Sequence, residues 1–356
     1  MVKSNKFSNT ISSPSFLQQV IIKSKLTDFF TGLKVMQKKC INRDINYIYE
    51  IVKLSFYNIL TLNLSQMCTK TKTVRSGLKL TILVLLALCT GNNCATAQLK
   101  IYVNTDLEGI SGVYKFDQSR EKDTPLNIQA CEYFMGDVAA VVRGLRDGGA
   151  TEVVILDGHG SGAVIPHLMA PGAKYITGKP RPGDGGLTDL NSTFAGMVML
   201  GFHAMMGTPD GVLCHTQSSK TENRYWYNGV ESGEMAQSSI IAGYYGVPPI
   251  MVTGDEATCR EAKTFFGNNI VTVAVKRGIS REAAELYPFD ETRKALYEGA
   301  KRAVAAIKSC KPYIIKTPIQ VKEQWLNLDP SLPKPVIVTR EGVAEDALHI
   351  LSWSRK

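Results

Sequence analysis

With 356 residues, 44% of them apolar, the chain can bury a full core, and its length suits one large domain or one domain with a small appendage. The formal net charge of +9 is unevenly divided: 13 of the 41 bases but only three of the 32 acids precede Gln98, so the rest carries 28 bases and 29 acids. The basic excess therefore belongs to the leader. No basic stripe with interleaved aromatics follows residue 98, which argues against a nucleic-acid-binding protein.

Residues 1–66 mix Lys, Asn, Ile and Phe without a repeat or a clear amphipathic period, and are expected to be an upstream extension outside the fold. The rival reading is a cytoplasmic tail on an uncleaved anchor. From Met67 a basic stretch (Lys70, Lys72, Arg75, Lys79) leads into the apolar run Leu80 to Leu88 and then Ala95-Thr96-Ala97. That is the layout of a signal peptide over 67–97, cleaved after Ala97, and it predicts a periplasmic or extracellular protein. The run is too short for a membrane-spanning helix, which takes about 20 residues. Cys89 and Cys94 follow Leu88 and Asn93 rather than the small residue a lipid-anchor site prefers, so soluble export is expected. Four cysteines remain after cleavage, Cys131, Cys214, Cys259 and Cys310, with no CxxC spacing. Disulfides and buried thiols both stay open.

From Gln98 short apolar runs alternate with segments of helical period. Leu99 to Val103, Glu152 to Leu156, Gly196 to Leu200, Pro249 to Val252 and Ile270 to Val275 are predicted as buried strands. Asn127 to Asp147, Glu234 to Tyr245, Asp255 to Phe266 and Thr292 to Lys308 are predicted as helices, the first three closing on glycine. This alternation predicts an α/β three-layer sandwich with a mainly parallel sheet over 98–311. After Lys311, five prolines change the texture, and 312–356 is expected to form a small C-terminal lobe with β-like runs at Pro318 to Val321 and Pro335 to Thr339.

The chemistry-bearing residues cluster just past these runs. Asp106 and Glu108 are two apart after the first strand, so their carboxylates point to one side. Burying two carboxylates together is unfavourable unless a cation or a proton neutralises them, and a metal is the simplest neutraliser. Asp157-Gly158-His159 and Gly201-Phe202-His203 follow the next strands, and in an open α/β sheet ligands collect outside the carboxyl ends of the strands. Asp106, Glu108, His159 and His203 are therefore expected to converge. Each has a bland alternative taken alone: a surface carboxylate pair, a loop histidine, a half-buried histidine. Glu234 at a helix start is favoured by the macrodipole with no metal at all. Cys214 and His215 are adjacent, so on extended backbone they face opposite ways and do not form a nucleophilic dyad. Gly158 to Gly162 lacks the spacing and the lysine of a phosphate loop.

Taken together, Thr105 to Gly112, Asp157-Gly158-His159, Leu200 to Ala204, Gly211 to Thr216, Gly229 to Glu234 and Ala242 to Pro248 resemble, in order, the zinc-dependent D-aminopeptidases of the DppA type, peptidase family M55. The resemblance runs from about Lys100 to Glu285 and is thin after Lys311. It implies two Zn²⁺ per subunit, with Asp106 as the bridging ligand and Glu108, His159, His203 and Glu234 as the others. It also implies His215 as the catalytic histidine, a short D-amino-acid peptide such as D-Ala-D-Ala as substrate, and a homo-oligomeric ring. The sequence departs from the family where glycine rather than serine precedes His159, and in its C-terminal lobe. Carboxylates with imidazoles are a donor set zinc accepts. The open alternatives are a metallo-amidohydrolase for other peptides or amides, and a non-catalytic peptide-binding protein with structural metal.

Overall fold

The protein is described by a computed structural model covering residues 98–160, 162–179 and 186–354. The upstream extension 1–66 and the signal peptide 67–97 lie outside the described residues.

Seven strands form the main sheet: β1 (Lys100–Thr105), β2 (Glu152–Leu156), β3 (Lys174–Ile176), β4 (Phe194–Leu200), β7 (Pro249–Asp255), β8 (Val271–Ser280) and β9 (Ala283–Leu286). Their order is β3-β2-β1-β4-β7-β8-β9, parallel throughout except for β9, which returns antiparallel to β8. The chain thus winds outward from β1 in one direction through β2 and β3, and then in the other through β4, β7 and β8.

Strand alternation divides the core between the two faces. Ile101 and Val103 of β1, with Val198 and Leu200 of β4, meet Phe134, Val138 and Leu145 of α1 (Pro125–Asp147) and Leu296, Ala300 and Ala303 of α4 (Phe289–Ala306). Tyr102, Met197 and Met199 point the other way, towards Met235, Ile240 and Ile241 of α2 (Glu234–Tyr244) and Ala262 of α3 (Glu256–Phe266). Both faces are covered, so the strands are apolar on both sides, as parallel strands under helices require. The expected three-layer arrangement with a mainly parallel sheet is the one observed.

Local chemistry sets the helix ends. Thr124 caps α1 by accepting from the Asn127 amide, with Pro125 in the first turn, and Asp255 caps α3 by accepting from the Thr258 amide. α1 and α4 cross at Gly144, where a β-carbon would collide with the Tyr297 carbonyl, so the helices approach at a residue without a side chain.

A second, antiparallel sheet has the order β11-β10-β5-β6, with β5 (Arg224–Tyr227), β6 (Val230–Glu231), β10 (Ile319–Asn327) and β11 (Val336–Ala344). The β5–β6 hairpin turns on Asn228-Gly229, both at positive φ, as a two-residue loop of this sequence does. The two C-terminal strands pair with β5 from the middle of the chain, and Ile319 and Val321 join the α2–α3 side of the core. Cys131, Cys214, Cys259 and Cys310 are free thiols. Among the described residues, no helix is long and apolar enough to cross a membrane.

Candidate metal centre

The turns after β1, β2 and β4 open where the strand order reverses direction, the crevice in which doubly wound sheets collect ligands. The first and third turns interlock. Asp106 N donates to Leu200 O at 2.8 Å, Gly109 N to Gly201 O at 2.7 Å, and a β-carbon on Gly109 would run into the Phe202 carbonyl. Glycine at 109 is thus what lets the Asp106–Glu108 turn lie against the His203 turn. On the far side of the loop, the buried Lys276 ammonium in the middle of β8 donates to the carbonyls of Glu108 (2.6 Å), Ile110 (2.9 Å) and Val113 (2.5 Å).

These turns bring Asp106, Glu108, His159 and His203 together, and Glu234 and His215 complete the group. His159 Nδ1 lies 2.9 Å from Asp106 Oδ1 and 3.1 Å from Glu108 Oε2. His203 Nε2 lies 3.2 Å from Asp106 Oδ2 and 3.7 Å from Glu234 Oε1, and His215 Nε2 lies 3.6 Å from the same Glu234 oxygen. The His203 and His215 rings stack at 4.0 Å, 12° from parallel. Glu234 is the first residue of α2, where the helix N-terminus favours its charge, and its Oε1 accepts from Gln217 N at 2.7 Å.

Each imidazole is anchored by a carbonyl on one nitrogen and faces the carboxylates with the other. His159 Nε2 donates to Ser119 O (2.9 Å), His203 Nδ1 to Ala204 O (3.0 Å) and His215 Nδ1 to Leu213 O (2.8 Å). Such a carbonyl fixes both tautomer and ring orientation, which is how proteins prepare histidine for a metal. The His215 backbone is held unusually: Leu213 and Gln217, neither a glycine, both sit in the left-handed region at φ 53° and 63°. Val212 N donates to Asp255 Oδ2 at 2.6 Å, tying this segment to the end of β7.

Without a cation the carboxylates draw protons onto the imidazoles. Burial opposes charge at Asp106, yet the hydrogen bond from His159 and the close approach of the His203 imidazole outweigh it and hold the carboxyl well below its ordinary value. Burial likewise opposes charge on His203, but Asp106 and Glu234 raise it to about 10, and the same competition lifts His159 well above 6.5. His215 goes the other way, lowered by burial and by the neighbouring His203. Glu108 Oε2 and His203 Nε2 are nevertheless buried without a hydrogen-bond partner, because the single N–H that His159 aims at the carboxylates goes to Asp106 and the His203–Asp106 contact is misaligned. Two buried, unpartnered donor atoms on a cluster of three carboxylates and three imidazoles fit a divalent cation of zinc's preferences. Asp106, Glu108 and His203 form one group with ligand atoms within 4.8 Å of one another, and His203, His215 and Glu234 form a second.

A doubly wound α/β sheet with this donor set at its reversal point is an arrangement suited to metal-assisted hydrolysis. The sequence model of Peptidase M55, described as D-aminopeptidase, matches residues 99–329. The chain belongs to this D-aminopeptidase family. It is 32% identical over 189 residues to a D-aminopeptidase of Bacillus subtilis (strain 168), covering 52% of this chain and 67% of the relative. Its fold matches that of the structure described as "Zn-dependent D-aminopeptidase DppA from Bacillus subtilis, a self-compartmentalizing protease". There the TM-score is 0.65 and the identity 25%, over 71% of this chain and 94% of the other.

Sequence reasoning did not single out Ser119, Lys276, Phe116, Arg120 or Arg281, all of which lie around the cluster. Lys276 had a signal, a charge directly closing the apolar run Ile270 to Val275, though Arg277 beside it makes the pair look like an ordinary solvated strand end. Ser119 acts through its backbone carbonyl, which no side-chain pattern reveals.

Proposed function

We propose that this enzyme is a zinc-dependent aminopeptidase that hydrolyses the N-terminal amide bond of short peptides beginning with a D-residue, D-Ala-D-Ala among them. Asp106, Glu108, His159, His203 and Glu234 would hold two Zn²⁺ per subunit, with His215 as the catalytic side chain. The observation that carries this reading is the set of three imidazoles locked by carbonyls with their other nitrogens aimed at three carboxylates. Asp106 turns one oxygen to His159 and the other to His203, the disposition a bridging carboxylate needs. When bound, the metal pair supplies Lewis-acid polarisation of the scissile carbonyl and a nucleophile available at neutral pH.

His215 supplies proton transfer. Its Nδ1–H is committed to Leu213 O, and its lowered pKa keeps Nε2 unprotonated at neutral pH, so Nε2 can accept a proton and return it to the departing amine. The carboxylates give a free α-ammonium a partner, consistent with an exopeptidase. The stacked geometry supports a second reading in which His215 is itself a ligand with His203 and Glu234. Zinc content of a His215→Ala variant separates the two: the catalytic reading keeps both ions with turnover abolished, whereas the ligand reading loses one.

The first test is zinc per chain on the protein from Gln98, alongside release of D-alanine from D-Ala-D-Ala before and after chelation. Two ions with chelator-sensitive cleavage are expected; bound zinc without cleavage of D-peptides rejects the substrate. The same reading includes a homo-oligomer, as in the self-compartmentalizing relative, and export directed by residues 67–97. Sedimentation and cell fractionation check these.

A further inference from the structure

The cluster is least covered at Glu234, His159 and His215, whose side chains are 20%, 12% and 11% exposed against 1% for His203, so a substrate reaches it from that side. Two residues border this approach through contacts with the histidines. Ser119, whose carbonyl holds His159, is followed by Arg120, and the Phe116 ring meets His215 edge-on at 6.2 Å between centroids. The Arg120 guanidinium lies 3.5 Å from the Phe116 ring centroid and that of Arg281 lies 5.2 Å from it. Both reach one acceptor, the Ser219 carbonyl, Arg120 at 3.1 Å and Arg281 at 3.3 Å.

Their remaining bonds differ. Arg281 is committed, its Nε to Cys214 O and its Nη1 to Glu222 at 3.2 Å. Arg120 bonds Ser219 through Nε and Nη2, is exposed, and among the described residues its Nη1 makes no hydrogen bond. Glu282, on the same side, accepts from the Phe116 amide instead. Partial burial and the repulsion of Arg281 pull the Arg120 guanidinium below its ordinary value, against the opposing pull of Glu282, Glu108 and Asp117. Guanidinium is the group best matched to a planar carboxylate.

We propose that Arg120, backed by Arg281, receives the free α-carboxylate of the substrate on the leaving-group side of the scissile bond, which makes dipeptides the preferred substrate class. This rests on the aminopeptidase reading above and deepens it: the amino end of the peptide lies at the carboxylate–imidazole cluster, and its carboxyl end at the guanidinium pair.

The experiment compares D-Ala-D-Ala with D-alanine amide, which has the same scissile position and no carboxylate, on the zinc-loaded full chain and on Arg120→Met and Arg120→Lys. Arg120→Met should lower the ratio of kcat/KM for the dipeptide over that for the amide about tenfold or more, mainly through KM, the size expected for one charge-assisted contact. Arg120→Lys should restore part of it. An equal fall for both substrates would show that Arg120 acts only by supporting the His159 loop, and an unchanged ratio would show that it does not meet the carboxylate. Either overturns the proposal. If the wild type cleaves neither substrate, the aminopeptidase reading fails first, and calorimetric binding of D-Ala-D-Ala decides the present one. A weaker Kd in Arg120→Met upholds it, and equal affinity rejects it.

Discussion

Lys276 shows how one side chain can hold a functional loop. Its ammonium is fully buried, and burial lowers its pKa to about 8, yet it donates to three carbonyls of the segment carrying Asp106 and Glu108. Lys276→Met would take a donor from all three and leave the Glu108 and Val113 carbonyls unbonded, Ile110 O keeping the Val113 amide, and we expect a loss of about 3 kcal/mol or more in a urea melt, with zinc affinity falling too. A variant as stable as the wild type would show that the loop holds itself. The imidazoles set the pH response of the metal-free protein. Asp106, depressed, contributes stability above its ordinary value near 4, lost as pH falls through its lower folded value. His203, raised to about 10, contributes stability that is full below about 6.5 and lost as pH climbs towards 10. His215, lowered, works in the opposite sense below about 6.5. The metal-free protein should therefore melt at a lower temperature at pH 9 than at pH 6.5. Zinc competes with those same protons, so its apparent affinity should rise over this interval, and the zinc-loaded protein should not show the alkaline loss.

At the scale of elements, the start of α3 and the His215 segment share one carboxylate, since Asp255 accepts from Thr258 N and from Val212 N. Asp255→Ala removes a helix cap and this tie together. We expect about 1–2 kcal/mol of lost stability and, on the proposed role of His215, a fall in kcat larger than that loss explains, because its imidazole is no longer positioned. A stability loss with kcat unchanged would separate the tie from the chemistry. The elements most legible in the sequence are those buried on both faces: Glu152 to Leu156 appears with the bounds expected, and the neighbouring strands extend their predicted runs by a few residues. β3 is three residues long, too short for a period to register. The β5–β6 hairpin carried a readable Asn-Gly turn that stood unread inside a segment matched for its Glu234, and β9 follows β8 so closely that no apolar run marks it. At the site, Asp106, Glu108, His159 and His203 were legible because each closely follows a strand, and their meeting was readable from the rule that ligands gather at the carboxyl ends of parallel strands. His215, in the loop between β4 and β5, and Glu234, at a helix start that needs no metal, were reached only through the likeness of their segments to the family, because their approach to the group depends on tertiary folding that no local pattern carries.

On the scale of the whole molecule, the C-terminal strands close a layer begun a third of the chain earlier. Val321 of β10 pairs with Tyr227 of β5, and Ile319, Val321 and Ile350 join the apolar cluster that contains Met199, Met235 and Val252. Tyr227 donates its partner role inward: its hydroxyl accepts from Gln237 Nε2, and Gln237 Oε1 accepts from Gln217 beside His215. Ending the chain at Lys311 should therefore expose that cluster, seen as binding of an apolar dye and loss of a cooperative melt, together with lost zinc binding. A soluble, cooperative fragment would show that β5 and β6 stand without their partners.

This pairing also fixes a timetable. A ribosome adds about 5–20 residues per second, so β5 leaves it several seconds before the strand that must lie beside it. Throughout that interval the segment bearing His215 and Glu234 contains a two-stranded hairpin whose β5 edge still lacks its partner, marginal by itself in water. Every newborn copy is therefore obliged to wait, with its cleft half-built, for a strand made some ninety residues later to arrive.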